Sequence, residues 1–384
     1  MNHNSKNLTE SSSADRDQTS FKETPWLIAK GFLMGSADII PGVSGGTMAL
    51  ITGIYDRLIN AIRSFDGKAL SNALRFRIPE LFRHIHWKFL MIVFSGIACA
   101  IIFFTRVVPL QVYMFTHPEL IYGLFFGLIA GSVVLLLREI ESGVAKPGNL
   151  LALLLGTLLG FWVVTLVPAN TPETSWYVFL SGSVAICAMI LPGISGAYIL
   201  LIFQKYDYIL GELGRLGGVA TAEAAINLIP FVLGAVTGLV LFSRLLSWLL
   251  KNFHTITLMV LIGFLIGSLY VIWPWQEREY REVVKSTEVY PVTDPVVQEL
   301  MENPPDKNRP TYKRLGKVLT PDAAFDEFRR VEVEEVSRKM VHSEPYFPAG
   351  ESAAENDPDV AEGAGGMAAG LLMIGLISVL RKSG

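Results

Sequence analysis

The sequence predicts an all-α polytopic membrane protein, an inverted-topology repeat in which each repeat is a re-entrant helical hairpin plus three transmembrane helices. Three observations predict it. Of 384 residues, 51% are apolar and 17% charged, against about 25% charged in ordinary soluble domains. The apolar residues form long runs between 26 and 275, while 1–25 and 276–362 are polar. A Pro-Gly-x-Ser-Gly motif occurs twice, at Pro41 and at Pro192.

Taken in order, residues 1–25 are rich in Ser, Asn and acids, so they read as a disordered cytoplasmic tail and not as a cleaved signal peptide. Apolar stretches follow at 26–62, 88–108, 119–138, 150–168, 176–210, 226–250, 255–275 and 365–380. A helix needs about 20 residues to cross a hydrocarbon core of about 30 Å. Six of the stretches read as single crossings, the last one short unless Gly363 to Gly366 extends it.

The other two, 26–62 and 176–210, are broken by Ile40-Pro41-Gly42-Val43-Ser44-Gly45-Gly46 and Leu191-Pro192-Gly193-Ile194-Ser195-Gly196-Ala197. Proline removes a backbone donor and glycine beside it lets the chain reverse. An unbroken helix of that length would measure roughly 54 Å at 1.5 Å per residue, too long for one crossing. Each half is short for a full crossing. The economical solution is a hairpin that enters, breaks near the midplane and returns, with the break shielded by protein or lining a cavity.

Basic residues set the orientation. Lys22 and Lys30 precede the first hairpin, and Arg57, Arg63, Lys68, Arg75, Arg77, Arg83 and Lys88 follow it, which places both flanks in the cytoplasm. Counting onward, Arg138, Lys251 and Arg381-Lys382 all fall inside, and the loop 169–175, without Lys or Arg, falls outside. Both termini are then cytoplasmic. Shifting the sequence by 151 positions lays Ala37, Pro41, Gly42, Ser44, Gly45, Tyr55 and Asp56 on Ala188, Pro192, Gly193, Ser195, Gly196, Tyr206 and Asp207. Repeat one is 26–168; repeat two is 176–275 plus 363–384, with 276–362 inserted before the last helix. Three full crossings per repeat turn the second copy upside down, and opposed broken helices in mid-membrane mark the substrate site of many secondary transporters.

Chemically, the amides of Ser44, Gly45, Gly46 and Thr47 open the returning half-helix of the first hairpin, and Gly193, Ser195 and Gly196 offer the same from the second. With Gly42 they form a candidate site for a phosphate or carboxylate, since amides at a helix start favour anions. The bland alternative is a turn that packs small residues against neighbouring helices. No Gly-Lys-Ser/Thr follows Gly42–Thr47, which excludes a nucleotide P-loop. Asp38, whose counterpart is Met189, is either a coupling or gating carboxylate or a cap on the glycine-rich turn. Arg244 is either a snorkelling residue or a contact for an anionic substrate. Tyr55, Asp56, Arg57, Tyr206 and Asp207 read as interfacial anchors. Residues 63–87 read as a basic interfacial helix suited to anionic headgroups, a pattern that topology enforcement explains equally well.

The insertion 276–362 is acid-rich and reads as a small or partly disordered extracytoplasmic module, weakly helical at 322–340 with a linker at 349–362. A net charge of −3 excludes a general nucleic-acid binder. Cys99 and Cys187 both lie in apolar runs, so neither a disulfide framework nor a zinc cluster is available. No residue pattern calls for a metal or cofactor. Oligomeric state stays open, a homo-oligomer included.

The run Gly35-Ser36-Ala37-Asp38-Ile39-Ile40-Pro41-Gly42-Val43-Ser44-Gly45-Gly46-Thr47, followed by Tyr55, resembles the signature of the DUF368 bacterial membrane family, and Leu191 to Gly196 fits it too. The resemblance covers about 26–275 and the last helix; the insertion is an addition to it. It implies a transporter of polyprenyl phosphate, recycling undecaprenyl phosphate across the bacterial cytoplasmic membrane for peptidoglycan and other envelope polymers. The implied partners are that lipid and the surrounding bilayer. Two rivals stand beside this flippase: a membrane phosphatase acting on polyprenyl diphosphate, and an ion or small-anion transporter. Against the enzyme, none of the six histidines lies in either hairpin and no second carboxylate accompanies Asp38.

Overall fold

A computed structural model describes residues 19–40, 43–140, 144–166, 171–172, 174–217, 221–303, 305, 309–319, 330–349 and 357–382. Pro41 and Gly42, part of the first expected anion site, lie outside the described residues. The protein is mostly helical, with four helices among the described residues long and apolar enough to cross a membrane. This makes it a polytopic membrane protein.

In chain order the helices are α1 (Thr24–Asp38), α2 (Gly45–Ile51), α3 (Tyr55–Arg63), α4 (Gly67–Leu74), α5 (Ile78–His84), α6 (Trp87–Arg106), α7 (Leu110–Thr116), α8 (Pro118–Glu139), α9 (Pro147–Val164), α10 (Ser175–Ile190), α11 (Gly196–Ile202), α12 (Tyr206–Arg215), α13 (Thr221–Asn252) and α14 (His254–Ser268). Strand β1 (Gln276–Pro291), α15 (Pro295–Glu302), β2 (Thr311–Leu319), β3 (Arg330–Pro345) and α16 (Val360–Lys382) follow.

The four long apolar helices are α6, α8, α9 and α13. Two of the six expected crossings differ. Helix α14 is 15 residues, about 22 Å, because the chain leaves helical geometry after Gly267-Ser268 and runs through turns to Pro274. Helix α16 starts upstream of the expected 365, since Gly363 to Gly366 are helical, and reaches 23 residues.

Both broken segments turn more sharply than expected. Their returning limbs are helices of only seven residues, α2 and α11. Each limb ends at a second break, with Gly53 at φ 73° after α2 and Gln204 at φ 50° after α11. Arg57, early in α3, bonds Glu23 at 2.8 Å and Thr19 at 2.8 Å, beside the start of α1. Thr171, just ahead of α10, donates to the Phe203 carbonyl and accepts from Lys205 Nζ at 3.2 Å, just past α11.

The chain divides into two units, Met1–Val108 with Phe125–Ile272 and Ala369–Gly384, and Pro109–Leu124 with Trp273–Ala368. In the first, glycines let helices pack backbone to backbone, the device of membrane helices that have no water to expel. A side chain at Gly31 would strike Val93, and one at Gly35 would strike Ile97 and Ala100. One at Gly234 would strike Phe179, and one at Gly238 would strike Ser183. Contact positions rise together along both chains in each case, so α1 runs parallel to α6, and α10 parallel to α13. Gly156 against Val260 and Gly160 against Phe264 make α9 parallel to α14 in the same way.

In the second unit the three strands form an antiparallel sheet in the order β1-β3-β2. Val331 and Val333 pack with Val297 of α15 in a small core. The weakly helical patch expected at 322–340 is therefore corrected: from Arg330 it is a strand. The physical reason is period-two alternation in Val331-Glu332-Val333-Glu334, which puts the valines on one face of a strand. Arg278 stacks its guanidinium 4.3 Å from the Tyr122 ring, and Arg338 lies 4.5 Å from the Tyr280 ring.

Candidate functional site

The described residues that flank the two Pro-Gly breaks, 151 positions apart in sequence, meet in space. Each break leaves unpaired backbone groups at the helix ends beside it, which must find partners because the surroundings are apolar. At the end of α10, the Ile190 carbonyl accepts the Tyr55 hydroxyl at 3.1 Å and the Met189 carbonyl accepts the Ser44 hydroxyl at 3.4 Å. Across the same contact, the Gly193 amide donates to Thr47 Oγ1 at 2.9 Å. Gly193 has φ +86°, a conformation that side chains rarely adopt, and a Cβ there would also press on Phe264 and Ser268. Gly46 lies so close to the Ile190 carbonyl that any side chain would collide with it.

Within the first break, donors are already engaged. The Gly45 amide donates to Asp38 Oδ1 at 2.6 Å, the Gly46 amide to Ser44 Oγ at 3.2 Å, and the Thr47 amide to the Ser44 carbonyl at 2.9 Å. Of the two readings of Asp38, the structure displays the cap: its carboxylate sits on the start of α2, where a phosphate was expected. The second break has no such anion. Met189 stands where Asp38 stands, and Ser195 caps nothing with its side chain. Burial is also asymmetric. Residues 43–50 are buried, whereas Ser195 and Gly196 are half-exposed and Asp38 and Met189 are exposed.

The structure thus brings together Ser44, Gly45, Gly46 and Thr47 with Gly193, and places Asp38 on their flank. Ser195 and Gly196 begin α11 close by, and a Cβ at Gly196 would touch Met189 and the Ala185 carbonyl. Arg244 is elsewhere. It lines a pocket of about 560 Å³ with Arg63, Asp66, Ser247, Trp248, Lys251 and Asn252.

Tyr55 corrects its sequence reading as an interfacial anchor. It is 2% exposed and spends its hydroxyl on Ile190 of the other break. Its apolar neighbours Ile54 and Ile59, both buried, were the signal that its ring points inward. Lys205 was missed altogether. It is 1% exposed, with Nζ at 3.2 Å from Thr171 Oγ1 and 5.5 Å from the Tyr177 ring centre. A lysine next to the repeated Tyr-Asp pair, where the first repeat has Ile54, was the available signal. A second cavity of about 410 Å³ is lined in part by Leu50, Tyr55, Asp56, Glu139, His254 and Ile262. His254 Nε2 faces Asp56 Oδ2 across it at 3.7 Å. Among the described residues no group of His, Cys, Asp and Glu could hold a metal ion.

The chain has relatives among known proteins. It is 42% identical over 263 residues to a polyprenyl-phosphate transporter of Vibrio cholerae, covering 68% of this chain and 82% of that one. It is 27% identical over 267 residues to a polyprenyl-phosphate transporter of Staphylococcus aureus, covering 65% of this chain and 86% of that one. No solved structure matches it significantly. The family described as VCA0040-like, undecaprenyl phosphate translocase-like, matches residues 34–290, a stretch that holds both Pro-Gly breaks. On that match, and on the identity to the Vibrio protein, the chain belongs to the undecaprenyl phosphate translocase-like family.

Proposed function

We propose that this protein moves undecaprenyl phosphate, or a closely related polyprenyl phosphate, between the leaflets of a bacterial cytoplasmic membrane, returning the carrier for envelope polymer synthesis. Its relatives are named for polyprenyl-phosphate transport and not for an enzymatic reaction. The observation that carries the reading is the direct contact between the two breaks, Gly193 amide to Thr47 hydroxyl. A site at the meeting of two broken helices can be exposed first to one side and then to the other.

Both breaks are read as tips of re-entrant hairpins. Two parallel helices start on the same side of a bilayer. Since α1 and α6 are parallel, the chain between them must return to the side where it began, and Arg57 beside Glu23 supports that return. The parallel pair α10 and α13, with Lys205 back beside Thr171, supports the same path for the second hairpin. Repeat one (26–168) and repeat two (176–275 with 363–384) are then related by inversion. The basic residues between 57 and 88 put the first hairpin's base and both termini in the cytoplasm. On this reading 276–362 lies outside.

In mechanism, the phosphate head occupies the ground between the tips while the prenyl chain stays in lipid. The donors are the Ser44 and Thr47 hydroxyls and the amides of Gly45, Gly46, Gly193, Ser195 and Gly196. Because α2 and α11 have only two turns each, these discrete hydrogen bonds matter more than helix dipoles. Asp38 holds the Gly45 amide until phosphate arrives, so it serves as a resident anion that the substrate displaces. Parting of the Thr47–Gly193 contact opens the path.

The test is leaflet exchange of labelled undecaprenyl phosphate in liposomes containing the folded protein. Exchange is expected for the wild type and a large loss for Ser44→Ala/Ser195→Ala. Absence of exchange by folded wild type sinks the transport reading, and release of phosphate from the diphosphate would favour a phosphatase instead.

A further inference from the structure

We propose that Arg63, Arg244 and Lys251 form a second site for a phosphate monoester, apart from the hairpin tips, which holds the headgroup of a prenyl phosphate at the C-terminal end of α13. The placement of this end at the cytoplasmic face rests on the topology proposed above; the site's existence does not. Helix α13 has 32 residues, about 48 Å at 1.5 Å per residue. It is longer than a hydrocarbon core requires, so its last turns stand in the headgroup region.

Positions 244, 247, 248 and 251 follow a helical stripe and share one face of α13. The end of α3 is fastened to that face. Arg63 Nη1 donates to Ser247 Oγ at 3.0 Å, and Ser247 in turn donates to Asn60 Oδ1 at 3.2 Å. Ser247 is buried at 7% exposure, so it works as a pin that fixes one guanidinium nitrogen at the rim. The remaining donors of Arg63 stay available to the pocket of about 560 Å³ that it shares with Arg244 and Lys251.

Charge decides what this pocket takes. It has three cations and one carboxylate, Asp66, and that carboxylate is committed. Asp66 caps α4 through the Lys68 and Ala69 amides at 2.9 and 3.0 Å and meets the His84 ring at 2.9 Å. No carboxylate pairs with Arg63, Arg244 or Lys251 among the described residues. The negative end of α13 offsets part of the Lys251 charge, which leaves the two arginines as the main holders. Guanidinium forks suit phosphate oxygens. Trp248, 54% exposed on the same stripe, offers an apolar ring of the kind that sits at the headgroup level, along which a prenyl chain can leave.

The full chain in phosphatidylcholine nanodiscs provides the test, read by tryptophan fluorescence with Trp248→Phe subtracted to isolate the indole in the pocket. Farnesyl phosphate is expected to give a saturable Trp248 signal. Arg63→Gln and Arg244→Gln should each weaken it about 10-fold or more, the scale of one lost hydrogen bond to a charged group. Arg244→Lys should recover part of it. Unchanged melting temperature shows that each variant folds. Inorganic phosphate binding as tightly as farnesyl phosphate would overturn the lipid assignment in favour of a free anion. Farnesol binding as tightly, or glutamine variants binding like wild type, would overturn the phosphate site. Because this signal needs no transport, failed leaflet exchange with an intact Trp248 signal would count against the transport reading alone.

Discussion

The Gly193 amide and the Thr47 hydroxyl, 146 residues apart, are joined at 2.9 Å in a fully buried contact. Thr47→Val keeps the shape and removes the acceptor, so the amide is left without a partner at a cost of about 1–3 kcal/mol. We expect a lower melting temperature and slower leaflet exchange for Thr47→Val, with Thr47→Ser close to wild type in both. Wild-type behaviour of the valine variant would mean that the contact neither holds the tips together nor serves transport.

In the proposed mechanism Asp38 and the substrate phosphate compete for the Gly45 amide. Asp38→Asn retains an oxygen to accept from Gly45 and removes the charge that repels phosphate. Binding of a short-chain prenyl phosphate at the tips should therefore tighten, while release and net exchange slow. Isothermal titration on the Arg63→Gln/Arg244→Gln background isolates the tip site. Weaker binding in Asp38→Asn would show that the carboxylate supports the substrate instead of yielding to it.

Helix packing makes a sharper prediction about folding. A β-carbon at Gly234 would collide with the Phe179 backbone, whereas nothing lies within 4 Å of one at Gly365. Gly234→Val should push α10 from α13 at a cost of roughly 1–3 kcal/mol or more and reduce the monodisperse fraction on gel filtration. Gly365→Ala should behave as wild type, since a helical alanine is favoured over glycine.

Acid should loosen the basic segment. Partial burial pushes the Asp66 carboxyl up, but hydrogen bonds from Ala69, His84 and Lys68 outweigh it and hold the group below its ordinary value. A depressed carboxylate contributes stability above its unfolded pKa, about 3.9, and that contribution is lost as pH falls through the lower folded value. Protection from hydrogen exchange at residues 66–74, taken relative to the intrinsic rate at each pH, should thus fall below about pH 4 in the wild type. Asp66→Asn should already be less protected at pH 7 and lose less protection in acid.

The broken helices and the two-fold recurrence of the motif were legible because proline and glycine act through local backbone rules. Ser44, Gly45, Gly46 and Thr47 were singled out the same way, as the residues that follow the first break. What sequence could not supply was which groups satisfy those breaks. The Tyr55 hydroxyl was read as a lipid anchor because tyrosine is common at interfaces, yet it reaches Ile190, a pairing set by long-range packing. Arg244 was read as a snorkelling residue or a contact for an anionic substrate, while the pocket it lines with Arg63 and Lys251 forms only once α3 docks on α13. The strand at Arg330–Pro345 was hidden by its glutamates, which read as a polar helix until the valine alternation is weighed.

That alternation yields a prediction for the insertion. Val333 is 3% exposed and packs with Val331 and Val297 between the sheet and α15. The cluster is small, so one charge within it should be decisive. Val333→Asp buries a carboxylate with no cation in the cluster, a cost of several kcal/mol, more than a three-stranded sheet with one short helix can absorb. Limited proteolysis should then cut within β1 and β3 in the variant but not in the wild type. The solvent-facing Glu335→Gln should remain resistant. If leaflet exchange survives Val333→Asp, transport belongs to the membrane helices alone; equal resistance of Val333→Asp and wild type would show that this cluster does not hold the sheet together.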